Sequence, residues 1–369
     1  MARSRYFIIT PGGTLEGAET VSEALRRRRE GGFIWLDFAD PSAEALNALV
    51  EPLGLHPLAI EDCLDEDQVP KTEEFPGHTF VLFNRYRYVG DDAVVEEVNF
   101  FLGDRFLVSV HSHGRDDASF GERLEALVRR DLEHARKGPD FLLQLLLDDI
   151  VDEKFEAIEA LQDRLDAIEE ELLRSATEFR PAGLIHLRRT LLRLRKSLVY
   201  EREILLKLCR RDSPFISQEA VYDFRDIHDH LAKFFEVVEI CRELIASTIE
   251  IHLSMVNNQM TMAANKTNLV VRRLTLITTV FMPLTLLAGI GGMSEWTMMT
   301  GQQHWPVAYP AFMLLMGGIA AVSYYLLKWS ESRDRPEAPL YPPAEASEEE
   351  AAPGAAGREA AAVPEAPSG

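Results

Sequence analysis

The spacing of apolar positions along the chain changes character near residue 112 and again near residue 274. In the first part, Phe33 to Phe38, Thr79 to Val89, Val94 to Leu102 and Phe106 to His111 are short runs rich in Val, Ile, Phe and Tyr, separated by Gly, Asp and Pro. Such runs predict strands. Pro41-Ser42 opens a stretch with Leu46, Leu49 and Leu53 at helical spacing, and Pro57 starts another through Leu64. Strands interleaved with short helices predict an α/β layered domain over residues 1–139.

From Asp140 the period becomes that of long helices. Leu142, Leu145, Leu146, Ile150 and Phe155, then Ile158, Leu161, Leu165, Ile168 and Leu172, recur at steps of three and four until Arg180-Pro181 interrupts them. A second helix is predicted from Leu184 to Arg210. It carries Arg188, Arg189, Arg193, Arg195 and Lys196, whereas the helix before it ends in Glu169, Glu170 and Glu171. Either these charges face one another or both sets are solvated faces. A third helix runs without proline from Gln218 to Met282 and, counted on to Met293, is on the order of 110 Å long. A rod of that length needs partners, and copies of itself bundled side by side would supply them. Residues 140–273 are therefore expected to be a stalk.

Two uncharged stretches close the pattern. Leu274 to Met293 has no charge over 20 residues, and Val307 to Leu327 is a second such run within an expected span of residues 307–328. Each is long enough to cross the hydrocarbon of a bilayer. Residues 294–306 are expected to be an extracytoplasmic loop. Lys266, Arg272 and Arg273 precede the first span and Lys328, Arg333 and Arg335 follow the second, while Gly291 to Pro306 contains neither Lys nor Arg. This places both termini in the cytosol and the chain in the inner (cytoplasmic) membrane as a multi-pass protein. The N-terminal segment has no small-residue cleavage site and does not read as a secretory signal. The tail, 334–369, is Ala, Pro and Glu, including Glu348, Glu349 and Glu350, a composition that stays disordered.

Net charge of -21 excludes nucleic acid as a partner, which would demand a surplus of Lys and Arg. An acid surplus suits cations; it also simply keeps a protein dispersed. Cys63, Cys209 and Cys241 form no C-x-x-C pair and fit a reducing compartment. No nucleophile-and-base pair, phosphate-binding glycine loop or catalytic metal motif is present, so no enzymatic reading has support.

Along the first span, Asn268, Val271, Thr275, Thr278, Met282, Thr285 and Gly289 share one helix face. Two readings fit that face. In a ring of parallel helices it lines an axial pore with oxygens between apolar collars; alternatively, the threonines bond to their own helix and the glycine permits close packing. Pro283 removes one backbone bond in mid-span, and Glu295 and His304 lie in the loop, where a ring of Glu295 would concentrate cations.

Phe281-Met282-Pro283-Leu284-Thr285-Leu286-Leu287-Ala288-Gly289-Ile290-Gly291-Gly292-Met293-Ser294 resembles the end of the first span of the CorA-type magnesium and cobalt transporters. Leu55-His56-Pro57-Leu58-Ala59-Ile60-Glu61-Asp62, Leu147-Asp148, Phe224-Arg225-Asp226 and Asn265-Lys266-Thr267-Asn268 match in family order. The resemblance covers nearly the whole chain except the tail. It implies a funnel-shaped homopentamer with an α/β/α cytosolic domain, long stalk helices and a pore-lining first span. Asn268, Val271, Leu274, Thr278, Met282 and Thr285 fall at its pore positions, with Gly292, Met293 and Ser294 at the filter and Glu295 at the mouth. The expected ion is Mg²⁺, with Co²⁺ or Ni²⁺, and the regulatory carboxylates between subunits fall on Glu61, Asp62, Asp148, Asp226 and Glu250. Ser294 stands where the family has Asn, Glu295 is the loop's only acid, and seven residues are inserted before the pore. A zinc transporter of the same family, to which His111 with His113 and His228 with His230 would belong, and a non-conducting divalent sensor or scaffold are the alternatives.

Overall fold

The structure is a computed structural model that describes residues 4–28, 31–65, 68–89, 92–111, 120–174, 179–292 and 294–333. The expected tail, 334–369, lies outside the described residues. By its contacts the chain forms two units, Met1–Gln259 and Met260–Gly369.

The first unit is built on one seven-stranded sheet in the order β2-β1-β3-β7-β6-β5-β4. The strands are β1 (Arg5–Ile9), β2 (Leu15–Ala18), β3 (Phe33–Ala39), β4 (Lys71–Phe75), β5 (His78–Val89), β6 (Asp92–Gly103) and β7 (Phe106–His111). Among the described residues, β3 and β7 pair in parallel and the remaining neighbours are antiparallel. Alternate residues of the central strands enter two different cores. Phe7, Trp35, Val81, Phe83, Phe100 and Leu107 join one, and Ile8, Ile34, Leu36, Phe80, Leu82, Phe101 and Val108 the other. Burial on both faces is why these strands read as continuous apolar runs and not as alternations. Gly32, with φ +80°, lets the chain entering β3 pass close to the end of β1, since a Cβ there would sit 2.2 Å from the Ile9 carbonyl oxygen.

Helices cover both faces. On one lie α1 (Val21–Arg27), α2 (Ala43–Asn47), α3 (Val50–Leu53) and α4 (Pro57–Leu64), which contribute Ala24, Leu46, Leu53 and Ile60. Thr20 and Ser42 cap α1 and α2 by accepting backbone N–H bonds, and Pro57 fits the first turn of α4. On the other lie α5 (Phe120–Arg130), α6 (Leu132–Ala135), α7 (Pro139–Arg174) and α8 (Ala182–Cys209), with the first part of α9 (Ala220–Gly291). The layers are α/β/α, and the long helices α7 and α8 share one core with the sheet.

α9 is continuous over 72 residues, about 108 Å of helix. Its buried positions end at Thr248. α10 (Ser294–Arg333) is helical on both sides of Gly301, whose φ of 60° and ψ of 141° break it. The expected loop, residues 294–306, is therefore helical backbone with one kink, because nothing before Gly301 interrupts it and Pro306 is accommodated within the helix. A Cβ added to Gly291 would lie 2.8 Å from Phe312 Cζ, so this glycine lets the end of α9 and α10 pack closely.

Candidate permeation face and carboxylate groups

Asn268, Val271, Leu274, Thr278, Met282, Thr285 and Gly292 lie on α9 or just past its end, and all are exposed. At 100° per residue the first six fall on one face. Met282 and Leu274 are 70% and 62% exposed, a large apolar area for a chain to leave bare. Two stretches are long and apolar enough to cross a membrane, one within α9 and one at Gln303–Trp329, and neither apolar window is buried. Thr285, Met282 and Gly289, with Leu286 and Ile290, line a surface hollow of about 540 Å³. Met293 lies outside the described residues, and Ser294 and Glu295 are described in backbone only, as the first turn of α10.

The threonines do bond to their own helix. Thr275, Thr278 and Thr285 each donate the hydroxyl proton to the carbonyl four residues back, on Val271, Leu274 and Phe281, at 2.9, 2.9 and 2.8 Å. This does not remove them from a pore. A hydroxyl whose only proton is committed to the backbone turns two lone pairs outward and acts as an acceptor alone.

The five regulatory candidates are distributed over the first unit. Glu61 and Asp62 sit on α4. Asp62 Oδ2 is 2.7 Å from Lys71 Nζ on β4, so it already has a cation beside it. Glu61 faces a hollow of about 560 Å³ shared with Asn47, Pro57, Ile60, Leu64 and Asp65. Glu250 is exposed on α9.

Asp148 of α7 and Asp226 of α9 are brought together. Burial, reinforced by Asp152, Asp226 and Asp149 against an opposing influence of His230, pushes the Asp148 carboxyl up to about 6. The carboxylates of α7 are sorted by their partners. Glu153 is held by Arg85 at 2.5 and 2.6 Å and by Arg123 at 3.0 Å, and Asp149 by Arg123 at 2.9 Å. These arginines hold Glu153 below its usual range despite its burial. Asp148 and Asp152 receive no such arginine among the described residues, which leaves a local excess of negative charge. Asp152 was not singled out in the sequence, although its place one turn after Asp148 is the signal that would have found it. No group of three or more His, Cys, Asp or Glu side chains among the described residues converges to hold a metal. Among the described residues, Asp148 and Asp226 lie together without a closed ligand set around them.

Among the described residues the histidines do not converge on a metal site either. His111 is buried against Asp37 at 3.4 Å, His113 lies outside the described residues, and His228 and His230 face Asp229 and Asp226 separately. The three cysteines are free.

An α/β/α unit followed by a single very long helix and a second apolar helix defines a class of two-span membrane proteins. The chain belongs to the CorA-like Mg²⁺ transporter protein family, whose model matches residues 30–328. It is 32% identical over 285 residues to the cobalt/magnesium transport protein CorA of Thermotoga maritima, covering 75% of this chain and 77% of that one. It is 27% identical over 187 residues to the zinc transport protein ZntB of Photorhabdus laumondii, covering 50% of this chain and 54% of the relative. The complete structure of the CorA magnesium transporter from Methanocaldococcus jannaschii superposes with a TM-score of 0.68 at 21% identity, covering 91% of this chain and 99% of that one. The chain is an integral membrane protein of this transporter family.

Proposed function

We propose that the protein is a homopentameric channel that carries divalent cations, Mg²⁺ foremost with Co²⁺ and Ni²⁺, across the inner membrane, with both termini in the cytosol. The carrying observation is the exposed α9 face on which Thr278 and Thr285 turn acceptor oxygens outward. Mg²⁺ sheds its water reluctantly, and its first-shell waters are strong donors. A ring of acceptor-only hydroxyls between Leu274 and Met282 collars would pass a hydrated ion by accepting from those waters. Bundling identical copies along this face would also bury what one chain leaves bare, and relatives named as magnesium and cobalt transporters support the choice of ions. Gly292, Met293 and Ser294 would form the outer constriction and Glu295 its acidic mouth.

In the same reading the cytosolic carboxylates sense the ion. Each chain offers Asp148 beside Asp226, with Glu61, Asp62 and Glu250 as further separate acids. A second copy would complete the ligand set, and bound ions would hold the assembly closed by offsetting carboxylate repulsion.

Zinc is the second reading, favoured by Ser294 in place of an amide and by the zinc-transporter relative. Liposomes containing the purified protein test both. Uptake of Mg²⁺, Co²⁺ and Ni²⁺ that falls several-fold in Thr278→Val supports the channel. Uptake of Zn²⁺ alone would replace the ion, and absence of any flux would leave only a sensor or scaffold. Replacing Asp62 and Glu250 together with Asn and Gln should weaken inhibition of flux by internal Mg²⁺; unchanged inhibition would remove the sensing role.

A further inference from the structure

The outward face of α8 carries a second apolar seam that the fold does not use. Its inward seam, Leu184, Leu191, Leu198 and Leu205, is buried in the core. One residue further on, Ile185, Leu192, Val199 and Leu206 are 48%, 43%, 42% and 39% exposed and recur every seven residues along the whole helix. With Leu187, Leu194 and Leu208 buried as well, the exposed seam lies on the side of the helix facing away from the core.

Cations border it. Arg188, Arg189, Arg193 and Lys196 are exposed and surround Leu192, and among the described residues none of the four makes an ion pair. Elsewhere on α8 the cations are engaged: Arg195 with Glu239, Lys207 with Glu203, and Arg202 over the Phe235 ring. Glu169, Glu170 and Glu171 of α7 do not pair with this cluster. Arg193 and Lys196 share a hollow with Glu97 without an ion pair to it. In a chain of net charge -21, four neighbouring cations that make no ion pair among the described residues form a surface of the opposite sign to the molecule.

The geometry of the seam selects its occupant. A bilayer surface is met by a broad apolar face, with residues at i+3 and i+4 joining those at i and i+7. Here those places are Arg188 and Arg189, then Arg195 and Lys196, then Arg202 and Glu203. What remains, beside the partly exposed Tyr200 ring, is a single line of aliphatic residues, one per heptad. A straight helix drifts about 20° per heptad, so such a line stays in contact only with another helix wound along it. A second α8 is disfavoured, because it would oppose cations with cations.

We propose that α8 is a docking surface for an acidic amphipathic helix on a separate polypeptide, one carrying an apolar residue every seven positions with Asp and Glu beside it. The inference stands independently of the transport reading.

The experiment uses the full-length protein in nanodiscs and a synthetic 28-residue helical peptide matching the 28 residues of α8, with Leu at every seventh position flanked by Glu. Binding by fluorescence anisotropy is expected, weakened about tenfold or more by Leu192→Glu with Val199→Glu. Arg189→Glu with Lys196→Glu should weaken it likewise and restore binding to a Lys-flanked peptide. All four positions are exposed, so the variants should fold. The proposal is overturned if a scrambled peptide of equal composition binds as well, or if neither variant changes binding. It also falls if anionic phosphatidylserine vesicles bind α8 in preference to the peptide, or if Leu192→Glu with Val199→Glu abolishes self-association instead. Peptide binding seen only after deletion of residues 334–369 would assign the seam to the chain's own tail.

Discussion

Lys154 and Glu201 are both fully buried, and Nζ lies 2.7 Å from Oε1. The ammonium also sits 4.0 Å from the centre of the Phe83 ring, and Glu201 accepts from the Asn84 backbone and the Ser197 hydroxyl. Burial pushes Lys154 down to about 8 even so. Lys154→Met strands a buried carboxylate and should destabilise the first unit by about 3–5 kcal/mol, read by thermal denaturation. Adding Glu201→Leu should recover much of that loss. His78 is buried between Phe75 and Phe101, and burial lowers it from 6.5 to about 4. The unfolded chain takes up a proton near pH 6.5 that the folded chain resists until about pH 4. Stability is therefore full above the higher value and falls as pH drops towards the lower one. His78→Phe should flatten that acid limb in denaturant titrations. Asp148 has the opposite sign. Its carboxyl is raised from 3.8 to about 6, so its contribution is present below pH 3.8 and lost as pH rises through 6. At neutral pH the ionised group is a liability that a bound cation would offset. Asp148→Asn should raise the Tm of the divalent-free protein at pH 7.5 and shrink the further rise caused by added Mg²⁺; an unaltered Mg²⁺ response would exclude this acid from binding.

At the scale of elements, β3, β5, β6 and β7 were legible because both their faces are buried, which makes each a run of large apolar side chains. β1, β2 and β4 were not predicted. β4, Lys71 to Phe75, has charged residues at three of five positions and is a strand only because its backbone pairs with β5. Edge pairing is a tertiary event that leaves little trace in side-chain choice. The helices α7, α8 and α9 were legible from their period, since each buries one stripe over many turns. Gly291 is the packing point between α9 and α10. Gly291→Ala should push the Phe312 ring aside and lower the Tm of the detergent-solubilised protein, and pairing it with Phe312→Leu should restore part of the loss. A glycine kept only for a flexible bend would give no such rescue.

For the molecule as a whole, Lys71 is the residue that decides how free Asp62, one of the acids proposed to sense the ion, is. It holds Asp62 at 2.7 Å and Glu73 at 3.2 Å, so a metal ion at Asp62 competes with an internal ammonium. Lys71→Gln should lower several-fold the internal Mg²⁺ concentration that half-inhibits flux, and chelation by EDTA should increase protease cleavage of the assembled protein. The amino-acid order alone determined the helix periods, the two charge-free stretches, the acidic balance and the residues sharing the α9 face, because each is a property of neighbours along the chain. Only the tertiary structure decided which carboxylates lie together and which have arginines. Asp148 and Asp149 are adjacent on α7, yet Arg123 reaches one while Asp226, 78 positions after Asp148, faces the other. Electrostatic environment depends on distance through space, and side chains next to each other on a helix point about 100° apart.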